Sequence, residues 1–127
     1  MKKETFEHID EFDIFLNDYK HIIIQVHAQW CKPCKNISQE LDSFIQNIKC
    51  DNSFIFLKCD YDLISEFELF IEEYQIEKIP YFIFIENGVM KDSYQGTNLP
   101  ILFNKINDFI NKNTSISQES FSSNIDF

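Results

Sequence analysis

The sequence predicts one domain of the α/β class, with a central mixed sheet of four to five strands flanked by four helices. Short apolar runs rich in β-branched and aromatic residues alternate with longer segments whose apolar residues recur every three or four positions. An Asn-Gly pair separates residues 81–86 from residues 89–94, as is typical of a hairpin. The 127 residues suffice for one domain with a hydrophobic core but not for two.

The first half of the chain is predicted to form two strands and two helices. Residues 4–7 favour a short edge strand, and the apolar spacing over residues 8–19 indicates an amphipathic helix. Residues 21–28 form a nearly continuous apolar run, as expected of a buried central strand, with Gln25 as its polar exception. A helical pattern then extends over residues 31–47.

The second half contains one more strand, a hairpin and two helices. Residues 54–60 read as a buried strand and residues 63–74 as a helix. That helix is predicted to bury four apolar side chains, Leu63, Phe67, Phe70 and Tyr74, and to expose its glutamates as a solvated face. The runs 81–86 and 89–94 form the hairpin, and residues 99–112 form the last helix.

The domain is expected to span residues 1–113. Residues 114–127 are rich in serine and show no sustained period, so a flexible C-terminal tail is predicted there.

Composition narrows the classes of partner and compartment. The formal net charge of −10 argues against nucleic acids and acidic membranes, which attract basic patches. No stretch approaches the roughly 20 apolar residues of a membrane span, and no apolar run follows the N-terminal lysines as in a secretory signal. Four cysteines are too few for a disulfide framework. The expected location is therefore the reducing cytoplasm.

The segment around which the chain is organised is Trp30-Cys31-Lys32-Pro33-Cys34-Lys35. The first cysteine falls where a strand gives way to a helix, and the unpaired N–H groups of a helix N-terminus stabilise a thiolate. Pro33 suits the first turn of that helix because it has no N–H to lose. The alternatives are an unreactive pair or half of a metal site. Zinc usually takes four ligands, however, and no second Cys-x-x-Cys or His-x-x-x-His is present.

This segment resembles the thioredoxin active site Trp-Cys-Gly-Pro-Cys-Lys, with Lys32 in place of glycine. Ile79-Pro80-Tyr81-Phe82 resembles the cis-proline of that family and the strand after it, and Lys58 stands where the family has a lysine beside the site. Asn87-Gly88 and Gly96 match the turn and the late glycine around the last strand. The resemblance covers roughly residues 5–112 and implies the thioredoxin fold.

The resemblance also implies roles for these residues. Cys31 is expected to be the nucleophile and Cys34, more buried, the resolving thiol. Pro80 is expected to face the cysteines and to leave the backbone of Ile79 open to an extended substrate segment, although an ordinary trans proline opening an edge strand is the alternative. Trp30 is expected to form part of the docking surface, with a core aromatic as the competing interpretation.

Three positions depart from the family pattern. Gln25 replaces a buried aspartate that moves a proton to and from the resolving cysteine, and an amide does not titrate. His27 replaces a tryptophan and either titrates near the site or serves as a structural imidazole. Lys32 adds a cation that favours the Cys31 thiolate. Lys58 is expected to form an ion pair near the site or to extend to solvent.

The predicted function is a monomeric thiol–disulfide oxidoreductase that reduces protein disulfides without a bound cofactor or metal. A thioredoxin-reductase-type enzyme or another dithiol would supply its electrons, and its charge suits partners with positive surface near their disulfide. Two other functions remain open. One is a non-catalytic binding module in a larger complex, and the other is an iron–sulfur protein whose cluster is bound by Cys31 across a dimer. Of the remaining cysteines, Cys59 is expected to pack as a small apolar residue and Cys50 to be the more exposed thiol.

Overall fold

The computed structural model describes residues 1–64 and 68–113, which contain five strands and five helical segments. In chain order these are β1 (Lys2–Phe6), α1 (Ile9–Asp18), β2 (His21–His27), α2 (Lys32–Asn47), β3 (Phe54–Asp60), α3 (Tyr61–Ile64), α4 (Glu68–Glu73), β4 (Tyr81–Glu86), β5 (Val89–Gln95) and α5 (Leu99–Lys112). The sheet and α1 to α4 belong to one compact unit, Met1–Thr97, and α5 belongs to a second unit that begins at Asn98.

The strands form one mixed sheet in the order β1-β3-β2-β4-β5. Strands β1, β3 and β2 are parallel, whereas β4 runs antiparallel to β2 and β5 antiparallel to β4. Because parallel neighbours need crossover connections, α1 and α2 carry the chain between the parallel strands. The predicted α/β class, the mixed sheet and the thioredoxin fold are confirmed.

The two faces of the sheet differ in composition. Alternate residues of β2 and β3 join an apolar cluster with α1, α3 and α4, which includes Phe12, Ile24, Leu57 and Phe70. The opposite face carries the side chains that alternate with these, among them Lys58, and it is covered by α2, whose Asp42 pairs with that lysine. The cysteine-bearing helix therefore lies on the face that also holds polar residues.

The hairpin turn has the backbone that its sequence predicts. Asn87 has φ 51° and Gly88 has φ 79°, so both residues occupy the left-handed region that a two-residue type I′ turn requires. Asn and Gly adopt this region at little cost, which is why they mark the turn.

The region after β3 corrects one sequence interpretation. The predicted helix over 63–74 corresponds to α3 and α4, and Phe67 lies outside the described residues. Phe70 and Tyr74 are buried as predicted, but Leu63 is 39% exposed, so its predicted burial is wrong. Ile64 takes the core position instead, because α3 begins directly at the end of the strand and its register differs by one residue from the predicted one.

Helix α5 begins at a capped N-terminus. The Asn98 side chain accepts a hydrogen bond from the Ile101 N–H at 3.1 Å, and a proline follows in the first turn. The buried side chains recur at helical spacing and are Leu102, Ile106, Phe109 and Ile110. Of the described helices, none is long and apolar enough to cross a membrane. The predicted tail over 114–127 lies outside the described residues.

Candidate active site

The cysteine pair lies where β2 ends and α2 begins. Cys31 is the N-cap of α2, and its Sγ accepts a hydrogen bond from the Cys34 N–H at 3.2 Å. The two cysteines form a disulfide, with their Cα atoms 5.3 Å apart. Pro33 stands in the first turn, which contains no acidic residue. One sulfur therefore sits at the positive end of the helix with no carboxylate in that turn to oppose it.

The two cysteines are equally buried, which corrects the expectation that Cys34 would be the more buried one. Each is 3% exposed. Together with Ala28 they form a small apolar cluster, against which Tyr61 and Ile79 pack. The same neighbouring residues shield both cysteines from solvent, so only their positions along the helix distinguish them.

The loop facing the cysteines contains a cis peptide bond between Ile79 and Pro80, so the alternative of an ordinary trans proline is excluded. The carbonyl oxygen of Pro80 accepts a hydrogen bond from the Gly96 N–H at 3.3 Å, which ties the end of β5 to this loop. Gly96 has φ 149°, and a Cβ at this position would lie 2.8 Å from the hydroxyl oxygen of Tyr94. A larger residue at position 96 would therefore be strained by this φ and would displace the Tyr94 side chain.

Trp30 is a surface residue, so its interpretation as a core aromatic is wrong. It is 63% exposed. Its Nε1 donates to the two carboxylate oxygens of Asp62 at 3.2 and 3.0 Å, and Asp60 in turn accepts from the Asp62 N–H at 2.8 Å. The hydrogen bonds to Asp62 hold the exposed ring in one orientation.

Two clefts meet at Trp30. One, of about 340 Å³, lies beside the cis-proline loop and is lined by Trp30, Tyr61, Glu77, Lys78, Ile79 and Gln95. The other, of about 700 Å³, is lined by the ends of β1, β2 and β3 and includes His27, Lys35 and Asp60. The indole therefore forms a wall shared by both clefts.

Polar residues lie on the face of the sheet beneath α2. Gln25 is 1% exposed and lies opposite Lys58 in the register of β2 and β3. No described residue forms a hydrogen bond with its side-chain oxygen. Lys58 has an 18% exposed side chain, and its Nζ lies 3.5 Å from Asp42 Oδ1, which is also 3.4 Å from the Nζ of Lys3. Of the two expectations for Lys58, the ion pair is the one observed; Asp42 was not identified from the sequence.

His27 is half-buried at the end of β2, opposite Asp60 in the register. Burial lowers the pKa of its imidazole from the ordinary 6.5, and Lys58 adds to this effect, while Asp60 and Asp42 act against it. The ring is therefore largely neutral at pH 7.

The remaining cysteines lie outside the disulfide. Cys59 is fully buried in the apolar cluster and Cys50 is half-buried, so Cys50 is the more exposed of the two thiols, as expected. Burial raises the pKa of both thiols.

Within residues 1–64 and 68–113, no three or more His, Cys, Asp or Glu side chains are grouped so as to hold a metal ion. Lys32, between the paired cysteines, is exposed.

Comparison with known proteins places this site in a family. The sequence model described as thioredoxin matches residues 4–112. The chain is 33% identical over 95 residues to thioredoxin from Coprinus comatus, covering 75% of this chain and 86% of that protein. It is also 33% identical over 86 residues to thioredoxin from Mycoplasmoides gallisepticum, covering 68% of this chain and 80% of that protein.

Solved structures agree with the sequence comparison. The thioredoxin of Malassezia sympodialis aligns with a TM-score of 0.73 at 26% identity, covering 86% of this chain and 94% of that one. A poplar thioredoxin h aligns with a TM-score of 0.71 at 28% identity, covering 85% and 96%. The family match and the cysteine pair support a thiol–disulfide oxidoreductase. The chain belongs to the thioredoxin family.

Proposed function

We propose that this protein reduces protein disulfides by cycling Cys31 and Cys34 between dithiol and disulfide. The observation that carries the proposal is the position of the Cys31 sulfur. It is the N-cap of α2 and accepts the Cys34 N–H at 3.2 Å, a geometry that stabilises a thiolate. Cys34 lies one turn further on, within bonding distance of Cys31.

The cycle follows thiol–disulfide exchange. The Cys31 thiolate attacks one sulfur of the substrate disulfide, the substrate S–S bond breaks, and the departing thiolate takes up a proton. Cys34 then loses its proton and attacks the Cys31 sulfur, which breaks the mixed disulfide and releases the second substrate thiolate. Two electrons have passed to the substrate and the Cys31–Cys34 disulfide remains. A thioredoxin-reductase-type enzyme or another dithiol returns the two electrons.

The surroundings of the disulfide suit an extended substrate segment. The half-buried Ile79 precedes the cis-proline and packs against the cysteines, so we expect a substrate strand to form main-chain hydrogen bonds with its backbone. Such bonds demand little of the substrate sequence. The exposed Trp30 lines the same cleft as Ile79 and offers a further contact surface there.

The test is reduction of insulin by dithiothreitol, with and without the protein. We expect the wild-type protein to accelerate the reaction and Cys31→Ser to leave it at the rate of dithiothreitol alone. A wild-type protein that is no faster than Cys31→Ser would favour a non-catalytic binding module instead.

A further inference from the structure

The larger cleft beside Trp30 is the strongest feature that the redox cycle leaves unused. Its volume is about 700 Å³, and it lies on the other side of the indole from the cis-proline loop. The side chains that matter for its chemistry are Glu7, His27, Trp30, Lys35, Asp60 and Asp62. Because Trp30 directly precedes Cys31, a substrate residue near the attacked sulfur has this cleft within reach.

The charge of the cleft is negative. Glu7, Asp60 and Asp62 contribute three carboxylates and Lys35 one ammonium group. His27 adds little positive charge at pH 7, because burial lowers its pKa; the charged groups that act on it are Lys58 and Asp60 from β3 and Asp42 from α2. The formal net charge of the whole chain, −10, has the same sign and draws cations toward the surface.

The indole adds a second feature that suits a cation. Trp30 is 63% exposed, and its hydrogen bonds to Asp62 hold the ring in place. A planar guanidinium stacks on an indole face and pairs with a carboxylate in the same plane, which an ammonium group does less well. Asp60, at the end of β3, lines the same cleft as the ring.

We propose that this cleft binds an arginine side chain of the protein substrate, close in sequence to the cysteine under attack, with the guanidinium on Trp30 and beside Asp60. The proposal rests on the reductase function above and specifies its substrate class. It makes Asp60 a specificity-determining residue.

The experiment uses a set of short disulfide peptides that differ at one residue beside the cysteine, tested on each side of it, with Arg, Lys, Gln or Glu there. For the wild-type protein we expect kcat/KM roughly fivefold higher with Arg than with Gln, from one exposed ion pair and one stacking contact. Lys should give a smaller gain and Glu a loss, and added salt should shrink the differences.

Two variants distinguish an effect of the cleft on peptide preference from an effect of the protein's overall negative charge. Asp60→Asn keeps the oxygen that caps the Asp62 N–H but removes the charge, and it should bring the Arg-to-Gln ratio close to one. Glu72→Gln removes the same charge from α4, outside the cleft, and should preserve the ratio. Because each ratio is taken on a single variant, a change in overall activity cancels.

An Arg-to-Gln ratio near one in the wild-type protein would overturn the proposal. So would a preference for Glu, which would assign the cleft to an acidic residue paired with Lys35, or an equal fall of the ratio in both variants. If no peptide is reduced, the reductase function itself fails. Calorimetry with the same peptides, carrying serine in place of cysteine, then tests whether the cleft binds arginine. Tighter binding of the Arg peptide supports the proposal, and equal binding of all peptides overturns it.

Discussion

Cys31 and Cys59 carry the same side chain and are both hidden from solvent, with exposures of 3% and 0%. The backbone around them differs. The Cys31 sulfur receives the Cys34 N–H at the start of α2, whereas Cys59 lies in the apolar cluster, where burial, with a smaller contribution from Asp60, raises the pKa of its thiol. From this comparison we expect that burial alone does not decide the reactivity of a thiol. An N–H group aimed at the sulfur stabilises its charge, and an apolar wall does not.

The largest effect that tests this comparison is covalent trapping. Cys34→Ser removes the proposed resolving thiol, so mixed disulfides with substrates should accumulate through Cys31, while Cys31→Ser should accumulate none. Cys59→Ser in the Cys34→Ser background serves as the control and should trap as much as Cys34→Ser alone. Mass spectrometry of the adducts locates the bond. Adducts on Cys59 would contradict the contrast between the two environments.

Alkylation of the reduced protein gives the next largest effect. At neutral pH Cys31 should react roughly a hundredfold or more faster than Cys34, because only Cys31 lies at the helix N-terminus. Cys59 should react only after unfolding or at high pH, because burial raises the pKa of its thiol. Peptide mapping after timed quenching measures all three rates. Equal rates at Cys31 and Cys34, which are equally buried, would mean that exposure rather than helix position controls the chemistry.

Gln25→Asp asks whether position 25 takes part in proton transfer to Cys34. Attack by Cys34 requires its thiolate, and a carboxylate at position 25 would accept the proton. The step should therefore accelerate by about a hundredfold near neutral pH, the lower end of what a positioned proton acceptor contributes. Single-turnover reduction from about pH 6 to about pH 9 measures it, since the wild-type rate should rise with pH across that window. Identical pH profiles would remove position 25 from the mechanism.

The same variant should lose stability in a pH-dependent way. Burial raises the folded-state pKa of the new carboxyl above the ~3.9 of an unfolded aspartate. The unfolded state then releases its proton first, so the loss of stability sets in as pH rises past that value and grows until the folded pKa is reached. Urea unfolding at several pH values tests this, with Gln25→Asn as the control for the shorter side chain. A loss of stability of equal size at all pH values would mean that altered packing, and not ionisation of the carboxyl, causes it.

The smallest effect concerns the exposed Lys32. We expect its charge to favour the Cys31 thiolate and hence the reduced protein, so Lys32→Gly should lower the redox potential by about 30 mV. Lys32→Gln separates the loss of charge from the added backbone freedom of glycine and should account for most of the shift. Equilibration with glutathione or dithiothreitol measures the potential. A shift to a less reducing value would show that another factor controls the couple.

Much of this fold is readable from the sequence, because its signals are local. The apolar run that ends at Val26, the position of Cys31 before a helical pattern and the Asn87-Gly88 turn each depend on neighbouring residues only. The same holds for the helix over 99–112, whose apolar spacing matches the buried side chains of α5.

The rest depends on which surfaces meet. The sequence does not reveal that Cys31 and Cys34 are equally buried, because the residues that pack over them, Tyr61 and Ile79, are distant in sequence. The bond from Trp30 to Asp62 spans 32 positions, and the pair between Lys58 and Asp42 joins a strand to a helix. Local sequence patterns do not predict such contacts.

The exposed indole beside the disulfide makes tryptophan fluorescence a reporter of the redox state of the protein. Trp30 is the only tryptophan in the chain, and a disulfide quenches the emission of an adjacent indole more strongly than a dithiol does. Selective excitation of tryptophan therefore reads a single ring next to the reacting sulfurs. Opening of the Cys31–Cys34 bond should brighten the emission, so each turnover can be followed in real time without a label or a coloured substrate.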